Sequence, residues 1–170
     1  ETGGTPIHDY DTMGRRKATS YPDGKSRSFG YDALGRMYTA EDTAGGVITF
    51  IHNSRNQLIQ VTDPLNQITA FTYEPTGQRH TMRDAKGQIT TWNHDPLGRL
   101  TLTTYPDGTR EITTYDDCNR IDSTTDRGGG KTYFAYDRLD RVKTVTTPDN
   151  LLTTFNYDDV GNLKLQTTAG

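Results

Sequence analysis

Apolar and polar residues alternate over short stretches of this chain, and the alternation restarts at a fixed interval. Val47-Ile48-Thr49-Phe50, Ile68-Thr69-Ala70-Phe71 and Ile89-Thr90-Thr91-Trp92 are copies of one segment; Ile59-Gln60-Val61 belongs to a second. Apolar residues recur at two rather than at three and four, which predicts strands and leaves no window for a helix. Aligning on an aromatic–acid pair gives unit starts at Tyr10, Tyr31, His52, Tyr73, His94, Tyr115, Tyr136 and Tyr157, each step being 21 residues without insertion or deletion. Residues 1–9 read as the tail of a preceding unit, with Gly3 in the turn-glycine place. Residues 10–156 form seven complete units, and 157–170 form a truncated eighth.

Each column of this alignment has a physical reading. Place two is acidic or Asn (Asp11, Asp32, Asn53, Glu74, Asp95, Asp116, Asp137, Asp158), and an Asp there bonds backbone N–H groups in an Asx turn. Place five holds Gly14, Gly35, Asn56, Gly77, Gly98, Asn119, Asp140 and Gly161, the residue types that tolerate a left-handed backbone. Place six is mostly Arg, as at Arg36 and Arg99, and is expected to pair with acids of a neighbouring unit. Place seven is mostly aliphatic, as at Leu100. A second turn follows, clearest at Pro106-Asp107-Gly108, where Pro presets φ and Gly takes the left-handed place. Place twenty carries Phe29, Phe50, Phe71, Trp92, Phe134 and Phe155, two residues before the next first-place ring, so both rings fall on one face. These rings are expected to be covered by stacking of units. The fold class that follows is all-β: one array of 21-residue strand-turn-strand repeats forming a long twisted, curled antiparallel sheet of about fifteen strands.

Composition sharpens this picture. Only 31% of residues are apolar and mean hydropathy is −0.84, so no large globular centre is expected; ten Tyr and five Phe argue against disorder. A net charge of −3 gives no electrostatic footprint for nucleic acid. No apolar run reaches the roughly 18 residues of a membrane span. One cysteine, Cys118, excludes an internal disulfide framework and a multi-Cys zinc site. The start at Glu1 and the stop at Gly170 in mid-pattern read as a piece of something longer.

The Y-D-x-x-G-R-L corner (Tyr31, Asp32, Gly35 and Arg36; Asp95, Gly98, Arg99 and Leu100), the P-D-G turn and the 21-residue step together resemble the RHS/YD-repeat family over residues 10–170. That family includes Rhs and Wap-type bacterial toxins, the B/C components of Tc toxins, and teneurins. The resemblance implies a segment of a β-shell that is secreted or at a bacterial cell surface. Its implied partners are the rest of the parent shell and an enclosed C-terminal toxin polypeptide. Open sheet edges at Gly3 and Gly170 add an expectation of self-association. The alternative is an extracellular adhesion scaffold whose outer face binds a glycan or a protein receptor. Shells of the family also carry a D-P-x-G-L/W self-cleavage motif. The nearest stretch, Asp95-Pro96-Leu97-Gly98-Arg99, has Arg99 in the Leu/Trp place and lies in an ordinary corner, so no cleavage is expected there.

No catalytic residue, metal site or cofactor is expected. An acid needed in every unit serves a turn rather than a catalytic pair. His52 and His94 occupy the Tyr column, His8 and His80 lie elsewhere, and none shows a ligand spacing. Cys118 has no base at a telling distance in sequence, and its place-four neighbours Leu34, Leu97 and Val160 suggest a small apolar requirement. Gly128-Gly129-Gly130 lacks the Lys-Ser/Thr of a phosphate loop.

Overall fold

The computed structural model describes residues 4–169; the places expected for Gly3 and Gly170 lie outside the described residues. Sixteen strands occupy it: β1 Ile7–Tyr10, β2 Arg16–Ser20, β3 Ser26–Tyr31, β4 Met37–Glu41, β5 Val47–His52, β6 Leu58–Thr62, β7 Ile68–Tyr73 and β8 Arg79–Arg83 come first. They are followed by β9 Ile89–His94, β10 Leu100–Thr104, β11 Arg110–Tyr115, β12 Ile121–Thr125, β13 Lys131–Tyr136, β14 Val142–Thr146, β15 Leu152–Tyr157 and β16 Leu163–Ala169. They form one open antiparallel sheet whose strand order is the chain order, one strand more than the spacing predicted. No helix occurs among the described residues. The described residues divide into two compact bodies, 4–72 with 82–88, and 73–81 with 89–169.

The turns explain the strict period. At each corner the place-two N–H donates to the place-six carbonyl, and the place-five N–H donates back to the place-two carbonyl, as in Asp95 N–H to Arg99 O (3.0 Å) and Gly98 N–H to Asp95 O (2.9 Å). The second turn has the same two bonds, as in Tyr105 N–H to Thr109 O and Gly108 N–H to Tyr105 O. This is a type I turn closed by a left-handed residue, a three-residue hairpin loop. Its last place has positive φ throughout, including Asn56 (64°), Asn119 (68°) and Asp140 (61°) besides the glycines.

A β-bulge lies beside each corner whose pairing is described. In the first body Tyr31 opposes Met37 and Gly30 opposes Thr39, leaving Tyr38 as the extra residue; Lys17 and Ile59 stand in the same place. In the second body the extra residues are Thr101, Asp122, Lys143 and Lys164. Two residues here face one partner, so the alternation slips by one. The slip moves place seven onto the ring face. Met37, Leu58, Leu100, Ile121, Val142 and Leu163 therefore sit opposite Tyr31, His52, His94, Tyr115, Tyr136 and Tyr157.

Directly opposed residues share a face. Phe50 opposes Val61 in the first body, while Trp92 opposes Thr103 and Phe134 opposes Val145 in the second. The rings thus fall on one face, as their spacing predicts, but they are less covered than expected. Among the described residues no hydrophobic side chain is buried; the buried ones are Thr19, Thr90, Thr103 and Ser123. The accessible surface is 11689 Å², against about 8,400 Å² for a compact monomer of this mass. Among the described residues, stacking within the sheet shields the rings only halfway.

Candidate functional site

The repeated chemistry lies in the aromatic–acid corner. Its Asp Oδ1 accepts two backbone N–H groups, from places four and six: Leu34 and Arg36 to Asp32, Leu97 and Arg99 to Asp95, Leu139 and Arg141 to Asp137. The other oxygen, Oδ2, accepts from the place-six guanidinium of the same unit, with Nε of Arg36, Arg99 and Arg141 each at 2.7 Å. The acid partner of each such Arg is thus chiefly in its own unit, four residues earlier, rather than across units as expected. The turn itself brings the two together.

These bonds hold the carboxyls below the 3.8 of a free aspartate. The guanidinium is the leading cause at Asp95, Asp116 and Asp137; at Asp11 it is the Arg15 backbone N–H. At Asp32 partial burial pushes upward and the Arg36 bonds outweigh it.

The same Arg reaches forward into the next unit. Arg15, Arg99, Arg120 and Arg141 lie over the rings of Tyr31, Tyr115, Tyr136 and Tyr157 at 4.2–4.6 Å. Each of these tyrosines sends its hydroxyl back to the place-seven carbonyl of the preceding unit, as in Tyr136 to Ile121 O and Tyr157 to Val142 O, both 2.8 Å. Two of these Nη1 groups use a place-five side-chain acceptor in the next unit: Arg99 bonds Asn119 Oδ1 (2.6 Å) and Arg120 bonds Asp140 Oδ1 (2.5 Å), whereas Arg36 Nη1 bonds the Asn53 carbonyl although Asn56 stands at place five. Before Gly35 no such acceptor exists, and Arg15 Nη1 is buried without a partner. Asp, Arg and the next Tyr thus form a staple between successive units: the turn places the first two, the 21-residue step the third.

The other predicted residues are distributed differently. Phe50, Phe71 and Trp92 are on the ring face, away from the corners. Pro106, Asp107 and Gly108 form the opposite turn, where Asp107 accepts from Thr109 N–H and from Arg127 of the next unit at 2.6 Å. In four units this second turn repeats the corner chemistry with an acid at its first place. Asp42, Asp63 and Asp84 each accept two N–H groups, and Asp126 accepts from Gly130. A D-x-x-G/N-like spacing in 42–46, 63–67, 84–88 and 126–130 carries that signal in the sequence.

Asn53 with Gln57 and Asp158 with Asn162 depart from the Asp–Arg rule, and so does a further corner, which gathers residues that spacing kept apart. Glu74, Gln78 and His94 replace Asp, Arg and Tyr together. His94 Nδ1 lies 3.1 Å from Glu74 Oε1, and His80 Nδ1 lies 3.8 Å from the same oxygen and 3.1 Å from Trp92 O. The His94 bond holds Glu74 below its ordinary value. No group of three ligating side chains able to hold a metal occurs among the described residues, and no described helix is long and apolar enough to cross a membrane.

The RHS repeat family matches residues 4–48, 52–89, 75–110 and 136–170, well over half the chain. No curated protein matches it. Among solved structures, the Tc holotoxin pore of Photorhabdus luminescens aligns at 15% identity and TM-score 0.50 over 97% of this chain and 12% of that one. A TcdB2–TccC3–Cdc42 crystal structure aligns at 15% identity and TM-score 0.49 over 96% and 12%. The chain therefore spans about 12% of the length of these toxin chains, and the first likeness speaks to the fold alone. A 21-residue unit of two strands and two turns, matched by family over most of its length, makes this chain a member of the RHS repeat family.

Proposed function

We propose that this chain is a stretch of shell wall that isolates an enclosed toxin polypeptide, and that its own residues catalyse no reaction. The observation that carries this reading is the unbroken ladder in which every strand pairs with its neighbour in sequence. A wall needs continuous backbone bonding and interchangeable units, and the corner residues Tyr31, Asp32, Gly35, Arg36, Asp95, Gly98, Arg99 and Leu100 serve as its fastenings. The division into a leading tail (1–9), seven units (10–156) and a partial eighth (157–170), the secreted or surface location, and self-association through open edges belong to the same proposal.

The test is limited proteolysis of the full parent protein. Its enclosed domain should resist cleavage, and removal of two whole units should expose it. A domain cut equally fast with and without those units overturns the reading. A second reading, an adhesion scaffold, is favoured by the half-exposed Tyr38 (48%) and Tyr133 (49%). Binding of the chain to a glycan or cell surface, lost in Tyr133→Ala, would support it.

A further inference from the structure

The two rims of the sheet are built from the same turn, yet they differ in what they present. At the third residue of the aromatic–acid corner stand Met13, Leu34, Leu97, Cys118, Leu139 and Val160, with Arg55 and Thr76 in the two remaining units; Leu97 is 74%, Leu139 72% and Val160 83% exposed. The corresponding place of the second turn holds Asp23, Ala44, Leu65, Lys86, Asp107, Gly128 and Asp149, mostly polar. Hydrogen bonding and φ are alike in both turns, so turn geometry does not demand an apolar residue there. Nor does packing, because these tips touch no core.

In the second body four consecutive tips, Leu97, Cys118, Leu139 and Val160, form a comb with teeth about 10 Å apart, two strand spacings each. Before the outer tips stand Pro96, which is uncharged, and the acidic Asp159; before the two central tips stand Asp117, beside Cys118, and Arg138, beside Leu139, both exposed. Among the described residues neither has an ion-pair or hydrogen-bond partner, unlike the neighbouring Asp116 and Asp137.

We infer that this rim pairs with the same rim of a second copy of the chain, about a twofold axis between the corners of Cys118 and Leu139. In that register Leu97 meets Val160, Cys118 meets Leu139, and Asp117 meets Arg138, each contact occurring twice, as an isologous interface requires. Of the antiparallel registers, this one covers all four apolar tips while setting opposite charges against each other. A contact of this size belongs with weak encounters, below about 1,200 Å² of buried surface. It differs from pairing through open strand edges, which uses backbone groups and no rim side chain, and it does not depend on the shell reading.

Sedimentation of the chain across concentration, under reducing conditions, tests it. A reversible monomer–dimer equilibrium is expected. Arg138→Asp sets Asp117 against an acid twice per dimer and should weaken the dimer at least tenfold. Adding Asp117→Arg to that variant reverses both charges and should restore affinity to within about threefold. Leu97→Ser with Leu139→Ser should abolish the dimer while far-UV circular dichroism stays unchanged, since both side chains are exposed. A monomer at all concentrations, indifference to Arg138→Asp, or failure of the double charge reversal to restore association each overturns the proposal.

Discussion

The residues that matter most here are those whose backbone is forced. Gly108 has φ of 82° and open space where a Cβ would stand, so replacing it tests conformation without packing. Gly108→Ala should cost about 1 to 2 kcal/mol, read as a melting point about 2 to 8 °C lower, whereas Gly108→Asn should cost less because Asn already holds that place at Asn66 and Asn150. Gly35 offers the opposite experiment. A Cβ there would lie 3.1 Å from the unpartnered Arg15 Nη1, at the flexible end of that side chain. Gly35→Asn should raise stability by about 1 kcal/mol in thermal melts, giving Arg15 the acceptor that Arg99 finds in Asn119. Gly35→Ala, with the backbone cost and no acceptor, should lower it. Positive φ at the fifth place was legible from Gly, Asn and Asp alone. The forward reach of Arg was not, because a long side chain has its own acid, the next ring and the next corner all within range.

At the scale of the element, each corner couples a turn to its neighbour. Tyr136→Phe removes the bond to Ile121 O and should cost about 1 kcal/mol, while Tyr136→Ala also removes the ring beneath Arg120 and should cost more. Chemical denaturation of both variants separates the two contributions. The depressed corner carboxyls give a pH dependence of definite sign. Folded chains bind fewer protons than unfolded ones near the 3.8 of free aspartate, so stability is fully present above that value and declines as pH falls through it toward the lower folded values. Melting temperature should therefore drop between about pH 5 and pH 2; a flat profile over that range would refute the staple. Strands, their faces and their turns were readable from the alternation and the period. The bulge was not: Lys17, Tyr38, Ile59, Thr101, Asp122, Lys143 and Lys164 range over charged, aromatic, aliphatic and hydroxyl side chains, since an unpaired position imposes no side-chain requirement. The meeting of His80 and His94 on Glu74 was also hidden, as it depends on strand adjacency rather than on spacing along the chain.

For the whole molecule, the half-covered ring face sets the energetics. With no hydrophobic side chain buried among the described residues, stability must come from each unit's bonds to the next, the regime in which terms add along an array. Deleting residues 94–114, one full period, should leave the remaining units in register and cost roughly one unit's increment in a denaturation curve. Deleting 94–103 instead should destroy cooperative unfolding, because the strand and turn phases no longer match. The composition foretold the thinness, and the repeat foretold the neighbour-to-neighbour order. A further consequence of that order is kinetic. Since each strand bonds only to the ones made immediately before and after it, loop closures stay short. The sheet can then be laid down as the polypeptide leaves the ribosome, each new hairpin joining a finished edge without waiting for any distant segment.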